Sequence, residues 1–204
     1  MNEKNCIVSN GCSYKPTAEY VRAWAEYMHD KDAYIQKREM ESNSQPLPQE
    51  DMRWCNLSGL DLSGIDLSGL DLTGCCLDNC IIKKANLRGT NLTGASLRFV
   101  DFAGSNLAEA ILIRANLEYA KLCYVEMDSA VCGNADFTFA IFEDANLDNA
   151  KFDGVWLGYA VFENTSVKQT MFNWADFDHT YVYSTNFDDA CMDEARTIDI
   201  RNCD

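Results

Sequence analysis

Every fifth residue from Leu57 to Met192 is large and apolar, in one frame without an insertion. Of the 28 positions in that frame, 22 are Leu or Phe, and the others are Ile82, Met127, Cys132, Val167, Val182 and Met192. Two residues before each centre stands Ala, Ser, Thr, Cys or Val in 25 of the 28 cases, as in Ala85-Asn86-Leu87 and Ala135-Asp136-Phe137. The exceptions are Leu60, Ile65 and Leu70. A helix would rotate residues five apart by about 500°, roughly 140° out of register, and scatter them round its circumference. A strand would place them on alternate faces, because five is odd. The pattern demands a chain that turns once per five residues and points the centre and the small residue inward each time. Short extended pieces joined by tight corners do this, and Ser-Gly or Thr-Gly pairs at 58–59, 63–64, 68–69 and 73–74 supply corner chemistry. The three prolines (16, 46 and 48) lie outside the array, where no ladder N–H is needed.

The repeated A-(D/N)-L-x-x motif, seen in Ala115-Asn116-Leu117 and Ala145-Asn146-Leu147, resembles the pentapeptide-repeat family over about two-thirds of the chain. That resemblance implies an all-β solenoid, a right-handed quadrilateral parallel β-helix in which four pentapeptides make one square coil of twenty residues. It implies about seven coils and, at about 4.8 Å per coil, a rod roughly 34 Å long. The chain then divides into a leader (1–54), a solenoid (55–195) and a C-terminal cap or tail (196–204). Leu60, Ile65 and Leu70 predict a wider first coil that something must cover, since an uncapped solenoid exposes its core. The leader predicts one helix over 17–40, with Thr17 as N-cap and Tyr20, Trp24, Tyr27 and Met28 at i, i+4, i+7 and i+8. A Ser/Gln/Pro linker, Ser42 to Gln49, follows. The helix either caps the first coil, serves as a partner-binding arm, or docks on an aromatic corner of the rod.

That corner comes from stacking residues twenty apart. One outward row reads Phe99, Tyr119, Phe139, Tyr159, His179, and the row two residues on reads Asp101, Lys121, Ile141, Val161, Tyr181. Trp156 and Tyr183 lie near it. Stacked rings stabilise a regular solenoid, and surface Tyr and Trp also mark interaction hot spots. Phe99, Tyr119, Phe139, Tyr159 and Tyr181 are therefore candidate partner-binding residues.

Charge is the second signal. The 204 residues carry a formal charge of -15, and the segment from Asp136 onward holds 14 acids against 4 bases. Asp61, Asp66, Asp71, Asp101, Glu126, Asp136 and Asp176 occupy the motif's own Asp/Asn position. Asp148, Asp153, Glu163, Asp178, Asp188 and Asp189 do not, and form a candidate acidic partner-binding face. The rod offers about two-thirds of the charge density of duplex DNA. Such a surface either keeps a solenoid soluble or competes for a basic DNA-binding groove. Its sign argues against direct binding of nucleic acid or of an anionic membrane.

Catalytic chemistry is poorly supplied. Only His29 and His179 are present, neither in motif spacing with a nucleophile, and no phosphate loop or Gly-x-Ser-x-Gly occurs. Cys75 and Cys80 are predicted inward on adjacent sides and Cys76 outward, so the three cannot converge on one ion. Cys55 and Cys75 stack one coil apart, within reach of a bridge in an oxidising compartment. Cys6 and Cys12 fit no metal spacing. The start, MNEKNCIVSNGC, lacks a basic region followed by an apolar stretch, and no run approaches the ~18 apolar residues of a span. The expectation is a cytoplasmic protein with reduced cysteines, no cofactor, no metal and no enzymatic activity.

The leading expectation for function is a non-enzymatic acidic rod that mimics duplex DNA and modulates a DNA-binding enzyme. The resemblance supplies a target, the type II topoisomerase DNA gyrase, which several pentapeptide-repeat proteins bind, protecting it from quinolones or peptide toxins. This chain has no loop interrupting the coils, no hydrophobic helix after the last coil, and some fifty added leader residues. These departures argue against quinolone protection and end-to-end dimerisation, with monomer and homodimer both open. The alternative is a rigid protein–protein interaction scaffold or effector using the aromatic corner. A third reading, from the ten cysteines, is a metal- or redox-responsive protein.

Overall fold

The computed structural model describes residues 16–34, 51–196 and, for the backbone, 201–202. From Asn56 onward the chain is a solenoid, and every bridge between its turns is parallel and joins residues twenty apart: Asn56 pairs with Cys76, Asn116 with Asp136, Asp176 with Arg196. Three sites lengthen into strands, β1 (Ile141–Glu143), β2 (Val161–Glu163) and β3 (Tyr181–Tyr183), stacked in the same register. Strand β4 (Arg201–Asn202) adds to β3 with Tyr181 opposite Arg201. Among the described residues no helix is long and apolar enough to cross a membrane.

One pentapeptide shows why the five-residue unit closes on itself. The Asn116 N–H donates to the Ala95 carbonyl of the preceding coil, and the Leu117 and Tyr119 N–H groups donate to Asp136 and Thr138 of the next. The Ala120 N–H turns the corner by donating to the Leu117 carbonyl at 3.0 Å. The remaining donor, the Glu118 N–H, points outward and is accepted by the Asn116 side chain at 2.9 Å. An Asx turn is thus what the Asp/Asn slot supplies, and it recurs at Asp61, Asp71, Asn91, Asp136 and Asn146.

The interior is filled by the frame read from the sequence. Centres from Leu57 to Phe177 are buried, with Ala, Ser, Thr, Cys or Val packed beside them except at Leu60, Ile65 and Leu70 in the first coil. Where the small residue is a buried Ser or Thr, it donates a hydrogen bond to a centre's carbonyl 23 residues earlier: Thr90 to Leu67 at 2.7 Å, Thr170 to Leu147 at 2.7 Å, Thr180 to Leu157 at 2.8 Å. No buried hydroxyl of this set is orphaned, so Thr costs little where Ala would fit. Met52, one unit before Leu57, is also fully buried and continues the frame.

The leader helix α1 (Ala18–His29) starts at Thr17, whose extended backbone and side chain cap the Tyr20 N–H at 3.2 Å. The chain leaves the helix at Asp30 (φ -149°, ψ 92°), and residues 31–34 are helical again, with the Asp30 carboxylate accepting from the Ala33 N–H at 2.9 Å. A short polar side chain that caps a new turn competes with helix continuation, which the 17–40 periodicity does not register. Residues 35–40 and the linker at 42–49 lie outside the described residues. Val21, Trp24 and Ala25 are buried in one cluster with Met52 and Leu57, flanked by Tyr20 and Met28. The Arg22 guanidinium donates to the Ser63 carbonyl at 3.2 Å and His29 Nε2 lies 3.4 Å from Asp66, so α1 covers the first coil. At the other end Phe187, Ala190, Met192 and Ala195 are only partly buried.

Leu117→Asp is expected to abolish cooperative thermal unfolding, because the carboxylate would be buried without a partner. Leu107→Pro is expected to do the same by removing the N–H that bonds Glu126 at 2.6 Å. Asn116→Ala, which removes only the outward acceptor, should keep the fold and cost about 1 kcal/mol. Circular dichroism melts of the three variants separate these outcomes.

Candidate functional site

The twenty-residue register turns each outward position into a row along the rod. Phe99, Tyr119, Phe139, Tyr159 and His179 form one continuous stack, with centroids 4.8, 4.8, 5.0 and 4.8 Å apart and interplanar angles of 16° or less. The Arg98 guanidinium covers the outer face of Phe99 at 5.5 Å, and His179 Nδ1 at the far end lies 3.0 Å from Asp178. Ring faces are therefore occupied by neighbours, and the exposed parts are edges and hydroxyls. The four rings Phe99 to Tyr159 remain 40–49% exposed. Tyr181, on β3, stands in register above Val161 and Ile141 in the adjoining row. Of the five predicted aromatic residues, Phe99, Tyr119, Phe139 and Tyr159 stack in one row, and Tyr181 stands in the next. Trp156, on the other side of the stack, is 60% exposed.

Each rung also sits at a corner with positive φ: 57° at Phe99, 60° at Tyr119, 62° at Phe139, 58° at Tyr159 and 59° at His179. Gly occupies the same corner position at 59, 64, 69, 74, 89, 94, 104 and 154. For L-residues this conformation costs roughly 1–2 kcal/mol, while a stacked aromatic pair gains about 0.5–1.5 kcal/mol beyond its burial. Four stacking pairs, at about 2–6 kcal/mol together, do not offset five strained corners at about 5–10 kcal/mol.

The six predicted acids do not form one face. Asp148, Asp188 and Asp189 lie on the side of the coil centred on Leu147 and Phe187, Asp153 on the side of Phe152, Glu163 on the side of Phe162, and Asp178 on the side of Phe177. Row membership follows from position modulo twenty, so this spread was readable from the numbering. The acids also differ in employment. The Asp148 carboxylate accepts from Ser166 Oγ at 2.6 Å and from the Lys168 N–H at 2.9 Å, replacing the Asx acceptor that Ser166 cannot provide. Asp78 does the same for Ser96 and Arg98. An Asp followed eighteen residues later by Ser in the Asp/Asn slot is the signal, missed at the sequence level. Asp153 accepts from Asn173 Nδ2 at 2.9 Å. Glu163, Asp188 and Asp189 are exposed.

Charge is uneven along the axis. In the proximal coils Lys83 pairs with Asp101 at 3.0 Å, Arg98 with Glu118 at 2.8 Å, and Arg88 with Glu109. Distally, Glu143 and Glu163 stand in register on β1 and β2, and the carboxylates of Glu143 and Asp144 push the Tyr124 hydroxyl above its ordinary pKa.

The cysteines are mostly core. Cys75 and Cys80 are buried and their thiols donate to the Met52 and Leu57 carbonyls, each at 3.0 Å. Burial pushes the Cys75 thiol up to about 12 and raises Cys132 further still. Cys55 and Cys75 are not joined in a disulfide. Cys76 departs from the expectation of reduced thiols: it is disulfide-bonded, as its outward slot permits. Cys6 and Cys12 lie outside the described residues. Among the described residues no group of three His, Cys, Asp or Glu side chains is placed to hold a metal ion.

Two measurements check these assignments. Asp148→Ala should lower stability by about 1.5–3 kcal/mol, the worth of hydrogen bonds to a charged group, while Asp189→Ala should change it by less than about 0.5 kcal/mol. Iodoacetamide at pH 8 should label exposed Cys191 and half-buried Cys123 well before Cys75 and Cys132, whose raised pKa keeps them as thiols.

Comparison with known proteins agrees with this geometry. The structure of HetL, a pentapeptide repeat protein involved in heterocyst differentiation regulation in the cyanobacterium Nostoc sp. strain PCC 7120, is 25% identical and covers 72% of each chain, with a TM-score of 0.53. A pentapeptide repeat protein of the Arabidopsis thaliana thylakoid lumen is 27% identical over 52% of this chain and 66% of its own, with a TM-score of 0.37. QnrB1, a plasmid-mediated fluoroquinolone resistance protein, is 19% identical over 75% of this chain and 81% of its own, with a TM-score of 0.45. No curated protein matches the sequence. The family model for pentapeptide repeats matches in eight copies, over residues 51–89, 90–128, 115–154, 130–165 and 145–182. With its twenty-residue parallel register, its five-residue core frame and this match, the chain belongs to the pentapeptide-repeat family and folds as a right-handed β-helix.

Proposed function

We propose that the chain is a non-enzymatic rod that binds another protein through the aromatic edge running from Phe99 to His179. The observation that carries this reading is the exposure of that edge. Its stacking gain does not offset the corner strain, so folding alone gives little reason for five aromatic rungs where Gly is strain-free. Exposed Ile141 and the Val161 and Tyr181 row widen the edge into a continuous apolar strip of the kind that marks contact surfaces. HetL, which shares the fold, is described as a regulatory protein, a role compatible with binding rather than catalysis.

A second reading is favoured by the 14 acids and 4 bases from Asp136 onward. In it the rod imitates duplex DNA and occupies the groove of a DNA-binding enzyme such as a type II topoisomerase. Acids on all four sides suit this reading, because a duplex is charged all round. The proximal ion pairs and the internal hydrogen bonds of Asp148 and Asp153 subtract from it.

Affinity capture from the organism of origin at about 50 and about 300 mM salt separates the two, since charge-driven binding falls steeply over that range and an aromatic interface barely changes. Binding by the captured partner is expected to fall at least about tenfold, or ~1.4 kcal/mol, when Tyr119, Tyr159 and Tyr181 become Ser. It should change less when Glu143 and Glu163 become Gln and Asp188 and Asp189 become Asn. The reverse ranking would replace the scaffold reading with the DNA-mimic reading.

A further inference from the structure

Beside the aromatic stack, one unit lacks Asp or Asn in its slot and carries Gly just past its centre, as the unit of Val131 and Gly133 also does on another side of the rod. Trp156 fills the Asp/Asn slot and Gly158 follows where other coils carry Ser58, Asp78, Arg98, Glu118, Thr138 and Asp178. Gly158 is not there for its backbone, since it is absent from the positive-φ glycines. A Cβ at Gly158 would meet only the Asp178 carbonyl at 3.6 Å and Thr138 Cγ2 at 3.8 Å, ordinary contact distances. The missing side chain leaves a notch with a bare backbone floor. Thr138 and Asp178 bound it along the rod axis, and Trp156 and Tyr159 flank it along the chain, 60% and 40% exposed.

Two kinds of group face outward here. In the neighbouring coils the equivalent N–H donates to an Asx side chain, Thr138 to Asp136 at 2.9 Å and Asp178 to Asp176 at 3.1 Å. Trp156 offers no such acceptor, so among the described residues the Gly158 N–H has none. Three carboxylates surround the notch: Asp136 and Asp176 pair in register with Trp156 on either side, and Asp178 follows Gly158 by one coil. Asp176 is shared with Arg196 at 3.4 Å and Asp178 with His179 at 3.0 Å, leaving Asp136 with no cation among the described residues.

We propose that this notch seats an arginine of an extended basic segment on a partner protein, an inference that rests on the protein-binding reading and names its partner's chemistry. The exposed Trp156 indole attracts a guanidinium, which stacks on it more readily than an ammonium does, while Tyr159, stacked on both faces, presents only its edge and hydroxyl. The carboxylates of Asp136, Asp176 and Asp178 complement its charge, and an extended partner chain can offer a carbonyl to the Gly158 N–H. Charge complementarity selects this occupant over an acidic or wholly apolar one, because the coils from Asp136 onward carry 14 acids against 4 bases.

The test uses the full chain, labelled with 15N, and two synthetic nonapeptides of Gly and Ser carrying either three arginines or three neutral citrullines. The arginine peptide is expected to produce saturable shifts of the Gly158 amide and the Trp156 indole N–H, with the Trp54 indole unmoved. The citrulline peptide should bind at least about threefold more weakly, and Gly158→Leu, which fills the notch without backbone strain, at least about tenfold more weakly. Asp188→Asn with Asp189→Asn, on another side of the rod, should change binding less than about twofold. The proposal is overturned by the absence of a saturable shift up to about 5 mM peptide, by equal binding of the citrulline peptide, or by Gly158→Leu binding like the parent. A captured partner that needs Tyr119 and Tyr181 but tolerates Gly158→Leu overturns the arginine seat and leaves the protein-binding reading intact. A partner indifferent to the whole aromatic edge overturns that reading instead.

Discussion

The hydrogen-bond register between coils governs everything else in this molecule. Each unit sends N–H groups to the coil before and the coil after, always to partners near twenty residues away, and closes its own corner with a fourth bond. No regular strand or helix is required, because the register itself satisfies the backbone. It also fixes the surface, since any side chain that points out is stacked on those twenty residues before and after it. A row of like residues thus becomes a continuous ladder, and a single odd residue becomes a local defect with defined walls. The aromatic stack is the first case and the Gly158 notch is the second.

The same constraint explains which residues are free for function. Outward positions are not equivalent, because in the units with Asp or Asn in the slot one of the three caps an N–H. Asp or Asn there is structural, and so is Asp148, which performs that duty for the next coil from a position that looks dispensable. Glu163, Asp188 and Asp189 carry no comparable task. Net charge therefore overstates the field available to a partner, whereas the exposed ring edges belong to side chains whose removal breaks no backbone bond.

Much of the architecture was legible in the sequence for a physical reason. The period of five is incompatible with helix and strand, and the small residue two before each centre fixes which way the chain turns inward. From that frame the core from Leu57 to Phe177 and the row Phe99 to His179 follow by counting. The Asp148–Ser166 substitution of one acceptor for another was not legible without the bonding scheme, since the motif records residue types and not which N–H each one caps. The break at Asp30 was hidden because hydrophobic periodicity is blind to a single capping side chain. Cys76 could be placed outward, but its oxidation depends on a partner sulfur that periodicity does not locate.

The aromatic ladder shows how a solenoid can hold a surface that folding does little to favour. In a globular domain, five exposed rings would tend to collapse onto one another or into the core. Here each ring is anchored at a corner whose backbone is fixed by bonds to both neighbouring coils, such as Tyr119 to Thr138 at 3.0 Å. Stacking at about 4.8 Å comes from the coil spacing itself, so the rings meet at van der Waals contact without moving. Side-chain entropy is lost on folding and need not be lost again on binding, which lowers the cost of association. A rigid row of ring edges, flanked by Ile141 and Val161 on one side and by Trp156 and the Gly158 notch on the other, is preorganised in the sense that matters for affinity. A partner that matches a repeat of about 4.8 Å, as an extended backbone alongside the rod can, would gain contacts at several rungs for one loss of translational freedom.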